Sequence, residues 1–368
     1  MASAPESDSS NRSASETRAP GSVSSLNPNL KQHSKSPRNA SRSVEAFVEG
    51  IRSGDRVVLS QAITLVESTK SEHQAKARTI LNRCLAASGD SVRIGVTGVP
   101  GVGKSTFIET LGGRLVDNGH RLAVLAIDPS SERTKGSILG DKTRMGALAA
   151  HDEVFIRPSP TGGSLGGVAQ KTRETVLLVE AAGFDTVLVE TVGVGQSETT
   201  VHSMVDFFLL LALAGAGDEL QGIKRGIVEM ADAIAINKAD GDNRAAAEAA
   251  KREYENALHL FPPPESGWNP PVLTCSAETG RGIDAVWSTV QEYVEHATST
   301  GYFTEKRQRQ ARYWMHQTIE RRLKEDFFAD DAVQAALSEV EEQVINGTMS
   351  SFAAAEHLLA QYRGEDEK

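Results

Sequence analysis

Eight residues, Gly98-Val-Pro-Gly101-Val-Gly103-Lys104-Ser105, lie between a short apolar run and a stretch of helical period, and they constrain the fold of this chain most tightly. They fit the pattern GxxxxGK[ST] in the context that gives it meaning, directly after a strand and directly before a helix. Glycines let the backbone curl until successive N–H groups point inward, and the helix that follows adds the positive end of its dipole. A polyphosphate is the natural occupant. Gly98, Val99, Pro100, Gly101, Val102, Gly103, Lys104, Ser105 and Thr106 are therefore assigned to a phosphate cradle. Lys104 is expected to reach the β- and γ-phosphates, and the Ser105 hydroxyl to ligate Mg²⁺.

The rest of the chain agrees with such a cradle. Apolar, β-branched runs recur at Val92–Thr97, Leu122–Ile127, Val154–Ile156, Thr186–Val189, Phe207–Leu213, Ala233–Ile236 and Val272–Thr274. Each is followed by a polar or glycine-rich turn and then a helix-period stretch, so the fold class is α/β, a mostly parallel sheet flanked by helices. Before it, Val44, Phe47, Val48 and Ile51, then Ala62, Ile63, Leu65 and Val66, then Ile80, Leu81 and Leu85 recur at helical spacing. Ser71 with Gln74 three residues on has the spacing of a capping box for the last of these helices. After about residue 300 the strands stop, and helical stretches follow at Tyr302–Phe328, Asp331–Ile345 and Ser350–Arg363. The apolar residues of that region either pack on the main domain's flank or form an arm against a second subunit. Residues 1–42 are rich in Ser, Asn, Pro and Arg with few large apolar side chains, the composition of a disordered tail. The organisation read from this is a tail over 1–42, a helical module over 43–90, the nucleotide domain over 91–300 and a helical arm over 301–368. At 368 residues the chain fits one main core with extensions, because single cores rarely grow past ~250–300 residues.

Base choice is read from Asn237-Lys238-Ala239-Asp240, at the end of the strand that starts at Ala233. The Asp240 carboxylate can accept from both N1–H and the 2-amino group of guanine, whereas adenine offers neither donor there. By analogy with base-edge readout, such a bidentate pair discriminates by ~1–3 kcal/mol. Ser276-Ala277-Glu278, after the next strand, supplies a backbone amide for the guanine 6-oxygen. The strand Thr186–Val189 ends in Glu190-Thr-Val-Gly193, where Glu190 is placed near magnesium and Gly193 near the γ-phosphate. The next position, which in Ras-like proteins holds a water-orienting Gln, is Val194, so slow intrinsic hydrolysis is expected, with Gln196 near enough to move in when a partner binds. Asp128, at the end of Leu122–Ile127, and Asp141 form a second acidic group, either magnesium ligands or helix N-caps.

With these residues in view, the sequence resembles the MeaB/MMAA family, GTPase chaperones of adenosylcobalamin-dependent acyl-CoA mutases such as methylmalonyl-CoA mutase. The resemblance covers about residues 44–330, through GVTGVPGVGKST from Gly95, AIDPSS from Ala126, GSILGDKTRM from Gly136, VETVGVGQSE from Val189, LAGAGDELQGIKRGI from Leu213, and NKAD. It implies a SIMIBI-class P-loop GTPase, the class of the signal-recognition and nickel-insertion GTPases, that acts as a homodimer on GTP/GDP and Mg²⁺. It implies that Ser105, Asp128, Asp141 and Glu190 surround the magnesium. It also implies a mobile segment over 214–224, in which Asp218 and Lys224 help couple the nucleotide state to the mutase, so that GTP turnover gates cofactor loading and release of damaged cofactor.

Composition narrows the alternatives. A net charge of −10 counts against nucleic-acid binding, which rests on clustered Lys and Arg. The longest apolar run, Phe207 to Ala214, is far short of the ~20 residues of a membrane span. No secretory or transit signal is visible, and the two cysteines, Cys84 and Cys275, fit reduced, buried positions in a cytoplasmic protein. Two rival functions stay open. Relatives have been described as kinases of amino-acid transport systems, against which the guanine-reading Asp240 speaks. A nickel-insertion GTPase would need a Cys/His cluster near the switch regions, and the two cysteines lie apart in sequence.

Overall fold

The computed structural model describes residues 42–127, 145–158, 165–191, 197–215 and 225–364. Each apolar run expected as a strand is one: β1 (Val92–Thr97), β2 (Leu122–Ile127), β3 (Val154–Arg157), β4 (Thr186–Thr191), β5 (Phe207–Leu213), β6 (Ala233–Asn237) and β7 (Val272–Thr274). They form one sheet in the order β3-β2-β4-β1-β5-β6-β7, with every pairing parallel. Parallel strands need crossover helices on the faces, which explains why β5 is buried along almost its whole length instead of alternating. The chain leaves β1 for β2 on one side and later crosses back to β5 on the other. The carboxyl ends around β1 are therefore the switch point at which such sheets bind ligands.

Three helices precede the sheet, α1 (Val44–Arg52), α2 (Arg56–Glu67) and α3 (Ser71–Cys84). Ser43 caps the first by accepting from the Ala46 amide, and Asp55 caps the second through the amides of Val57 and Val58. The capping box expected at Ser71 is not formed. Ser71 is already helical, its predecessor Lys70 holds the extended cap conformation without a side-chain bond, and Ser68 instead takes the Lys70 amide while its carbonyl takes Gln74 Nε2. A hydroxyl inside the first turn no longer faces the amides it would cap. Phe47, Ile51, Leu59, Ile63 and Ile80 from these helices pack with Val176 and Val179 of the long crossover helix and with Ala123, Val187 and Phe208 of one sheet face.

In chain order the remaining helices are α4 (Lys104–Asp117), α5 (Gly146–Ala149), α6 (Leu165–Ala181), α7 (Ser197–His202), α8 (Arg225–Met230), α9 (Arg244–Leu258), α10 (Ile283–Ser299), α11 (Tyr302–Ala329), α12 (Asp331–Ile345) and α13 (Ser351–Arg363). The opposite sheet face is covered by α4 and α10, with Phe107, Ile108, Val286 and Tyr293 buried against Ile94, Val96 and Phe207. The first turns of α11 grip the sheet's amino-terminal edge. Arg307 pairs with Asp206 and donates to the Gly89 and Ser91 carbonyls, Lys306 donates to the Asp206 carbonyl and the Tyr293 hydroxyl, and Trp314 Nε1 donates to the Ser203 carbonyl. From Tyr313 onward the helix exposes Tyr313, Met315, Ile319 and Leu323, while α12 and α13 share a small core of Val333, Val340, Ala354 and Leu358. Among the described residues no helix is long and apolar enough to cross a membrane.

Candidate nucleotide-binding site

β1 delivers the glycine-rich loop at the switch point, and two of its glycines are there for a stated reason. A Cβ on Gly98 would lie 2.3 Å from the Leu211 carbonyl oxygen, and one on Gly103 would lie 2.8 Å from Asn237 Nδ2; both residues have positive φ, 143° and 98°. Gly103 ends the loop as the left-handed N-cap of α4, so the helix begins at Lys104 with its amino end at the loop. Lys104 is 8% exposed, and its ammonium donates to the Gly98 carbonyl at 2.8 Å and the Val99 carbonyl at 3.2 Å. Burial lowers its pKa from the ordinary lysine value, and the carboxylates of Glu190 and Glu198 oppose that fall.

The register Val96↔Glu190 places the end of β4 beside the loop, and Ser105 Oγ donates to Glu190 Oε1 at 2.9 Å. A hydroxyl at the second residue of a helix and a carboxylate oxygen side by side are hard-oxygen donors of the kind that would suit a magnesium ion. Thr191 and Thr97, at the adjoining strand ends, share a hydroxyl–hydroxyl bond of 2.9 Å. Asp128, Asp141, Gly193, Val194, Gln196, Asp218 and Lys224 lie outside the described residues.

The loops expected to read the base are tied to the glycine-rich loop through one side chain. Asn237, 1% exposed at the end of β6, donates from Nδ2 to the Val102 carbonyl at 2.8 Å and accepts at Oδ1 from the Ala277 amide at 3.0 Å. Lys238 Nζ donates to the Gly101 carbonyl at 2.9 Å. Lys238 itself sits at φ 58°, a left-handed conformation that costs a non-glycine residue, and Asn243 Nδ2 bonds its carbonyl. Ser276 Oγ donates to Asp240 Oδ2, and Ser276 also accepts from the Thr279 amide. The carboxylate expected to read guanine is thus oriented by the loop expected to supply an amide to the same ring. Glu278 is exposed next to it, as are Pro100 and Thr106 at the rim of the phosphate loop.

Two features escaped the sequence reading. Glu198, in the first turn of α7, is 2% exposed and acts electrostatically on Lys104. It lay within the VETVGVGQSE stretch, and only the return of α7 toward the loop reveals its place. The bridging role of Asn237 was also hidden, since sequence order places it beside Asp240 but not beside Val102. Cys84 and Cys275 are both buried and free, and burial pushes the Cys275 thiol up to about 12. Among the described residues no three His, Cys, Asp or Glu side chains converge as a metal cluster.

The family model for methylmalonyl Co-A mutase-associated GTPase MeaB matches residues 59–332. GTPase ArgK of Escherichia coli is 47% identical over 303 residues, 82% of this chain and 92% of its own. The mitochondrial methylmalonic aciduria type A homolog of Mus musculus is 43% identical over 332 residues, 88% of this chain and 80% of its own. Among solved structures, one of an LAO/AO transport system kinase is 39% identical, with a TM-score of 0.69 over 87% of this chain and 97% of that one.

Proposed function

The chain belongs to the MeaB family of GTPases, and from that premise we propose that it spends GTP hydrolysis on cofactor loading and protection of an adenosylcobalamin-dependent acyl-CoA mutase of the methylmalonyl-CoA type. For the nucleotide half of this reading, the supporting observation is the Asn237 bridge, by which one buried side chain holds the phosphate loop and the base-reading loops in fixed relation. The mutase half is supported by the family's description and by the name of the mouse relative.

In this reading Lys104 leaves the Gly98 and Val99 carbonyls and turns to the β- and γ-phosphates, while the amides of the loop and of the first turn of α4 hold the phosphate oxygens. Asp240 accepts from the guanine edge with Ser276 fixing its orientation. Ser105 and Glu190 would hold Mg²⁺ or its waters, joined by Asp128 and Asp141. The ion, when bound, neutralises charge developing on the phosphate oxygens. Gln196 orients water only when a partner arrives, so that turnover is slow in isolation, and Asp218 and Lys224 relay the nucleotide state to the mutase. The protein acts in the cytoplasm as a homodimer, joined through the exposed face of α11.

Turnover measured with and without a purified methylmalonyl-CoA-type mutase tests this. The reading expects stimulation on the order of tenfold or more, since partner-supplied groups act on related GTPases by 10³–10⁵. No stimulation by any acyl-CoA mutase would remove the chaperone assignment. One rival keeps a specific support, the matched structure described as a transport-system kinase. Tighter binding of ATP than of GTP, with transfer of phosphate to a protein acceptor, would favour it.

A further inference from the structure

Away from the nucleotide, α2, α3, α6 and the far half of α11 enclose a cleft of about 770 Å³, within the ~300–1,000 Å³ of small-molecule sites. Six cationic side chains line it, Lys70, Arg78, Lys171, Arg321, Arg322 and Lys324, against three carboxylates, Glu67, Glu174 and Glu325. On a chain of net charge −10 this is a local reversal of sign. The carboxylates do not cancel it. Glu67 is taken by a pair with Arg157, which stands outside the cleft, and Glu325 by Arg321 one turn away on the same helix. Glu174 accepts from Gln170 Nε2, and burial raises its pKa against the opposing pull of Gln170, Arg321, Arg173 and Arg322, so it is one carboxylate facing several cations. The side chains of Lys70, Lys171 and Lys324 have no hydrogen-bond or ion-pair partner among the described residues. Below the cations the cleft is apolar: Val66 and Ala77 are buried there, with Leu81 and the half-exposed Phe328 beside them.

We propose that this cleft is a second ligand site, for a small organic molecule carrying two or more phosphates. Cations from opposite walls, Lys70 and Arg78 on one side and Arg322 and Lys324 on the other, would meet the phosphates, and the guanidinium groups can engage them in bidentate fashion. The apolar base would take the organic part. A phosphate ligand suits the site better than an acidic helix or strand of another protein, because the cations line a concavity instead of a flat face. Occupancy would join the amino-terminal helices to α11 and leave the guanine-nucleotide loops untouched.

Calorimetric titration of the full chain, preloaded with excess GDP and Mg²⁺ at low salt, tests the assignment with four probes: tripolyphosphate, ADP, adenosine and hexaglutamate. Tripolyphosphate and ADP should bind one per chain with Kd on the order of 100 µM, adenosine should not bind, and raised salt should weaken both. The pair Arg322→Glu and Lys324→Glu, and separately Lys70→Glu with Lys171→Glu, should each weaken binding by about tenfold or more while GTP turnover stays unchanged. Four results would overturn the proposal: no binding of either phosphate probe, binding unaffected by both variants, binding removed by further GDP, or hexaglutamate binding as tightly as ADP. The last would make the cleft a dock for acidic polypeptide.

Discussion

Lys104 and Asp240 carry the two tests on which the nucleotide reading stands. Lys104→Ala removes a nearly buried cation from the phosphate loop and should weaken GTP binding by about 2 kcal/mol, roughly thirtyfold, measured by titration with a fluorescent analogue. Asp240→Ala should compress the preference for GTP over ATP by ~1–3 kcal/mol and leave triphosphate affinity in place. His202 offers a pH test. Its ring packs edge-on to Phe208 near Lys306, and burial, helped by that ammonium, lowers its pKa to about 4. A folded-state pKa below the unfolded value means that the unfolded chain binds more protons between pH 6.5 and 4. Stability should therefore fall as pH falls through that window, by on the order of 2 kcal/mol, and His202→Gln should flatten the slope in urea titrations at stepped pH. At this scale the sequence offered Lys104, Ser105, Asp240 and Glu190 as candidates by their chemistry and spacing. It could not show that Asn237 spans two loops or that Glu198 returns beside Lys104, because those neighbours are set by strand order and helix direction.

The seven strands were legible almost to the residue, and the reason is physical. A parallel sheet covered on both faces demands uninterrupted apolar runs, and β5 and β6 show such runs with nothing amphipathic nearby to confuse them. Helix boundaries were less legible where capping decides them, as at Ser71, since a serine one residue inside the helix looks the same in sequence as one at its cap. The helix at α11 was legible, but the polar anchoring of its root was not. Its Lys306, Arg307 and Gln310 are polar residues of a kind that reads as a solvated face, yet each is largely buried and bound to backbone or carboxylate at the sheet edge. Breaking such a pair strands a buried charge. Arg307→Met should leave Asp206 uncompensated and destabilise the fold by about 3–5 kcal/mol, read as a shift in urea midpoint, whereas the paired change Arg307→Met with Asp206→Asn should recover a large part of the loss.

Taken whole, the molecule presents its exposed large apolar side chains mainly along α11 and the two helices after it. If the proposed homodimer forms through α11, Ile319→Glu with Leu323→Glu should halve the mass in light scattering while the monomer keeps its nucleotide affinity; an unchanged dimer would place the interface elsewhere. The strand order has a different consequence. β1 is fourth of seven, with three strands on each side, so its amides are expected to exchange only through large openings of the sheet. The glycine-rich loop is thus rooted in the strand expected to exchange most slowly, and a nucleotide would not retune it by loosening its base. An exchange map taken with GTP and then with GDP should therefore show β1 equally dark in both, whatever changes elsewhere.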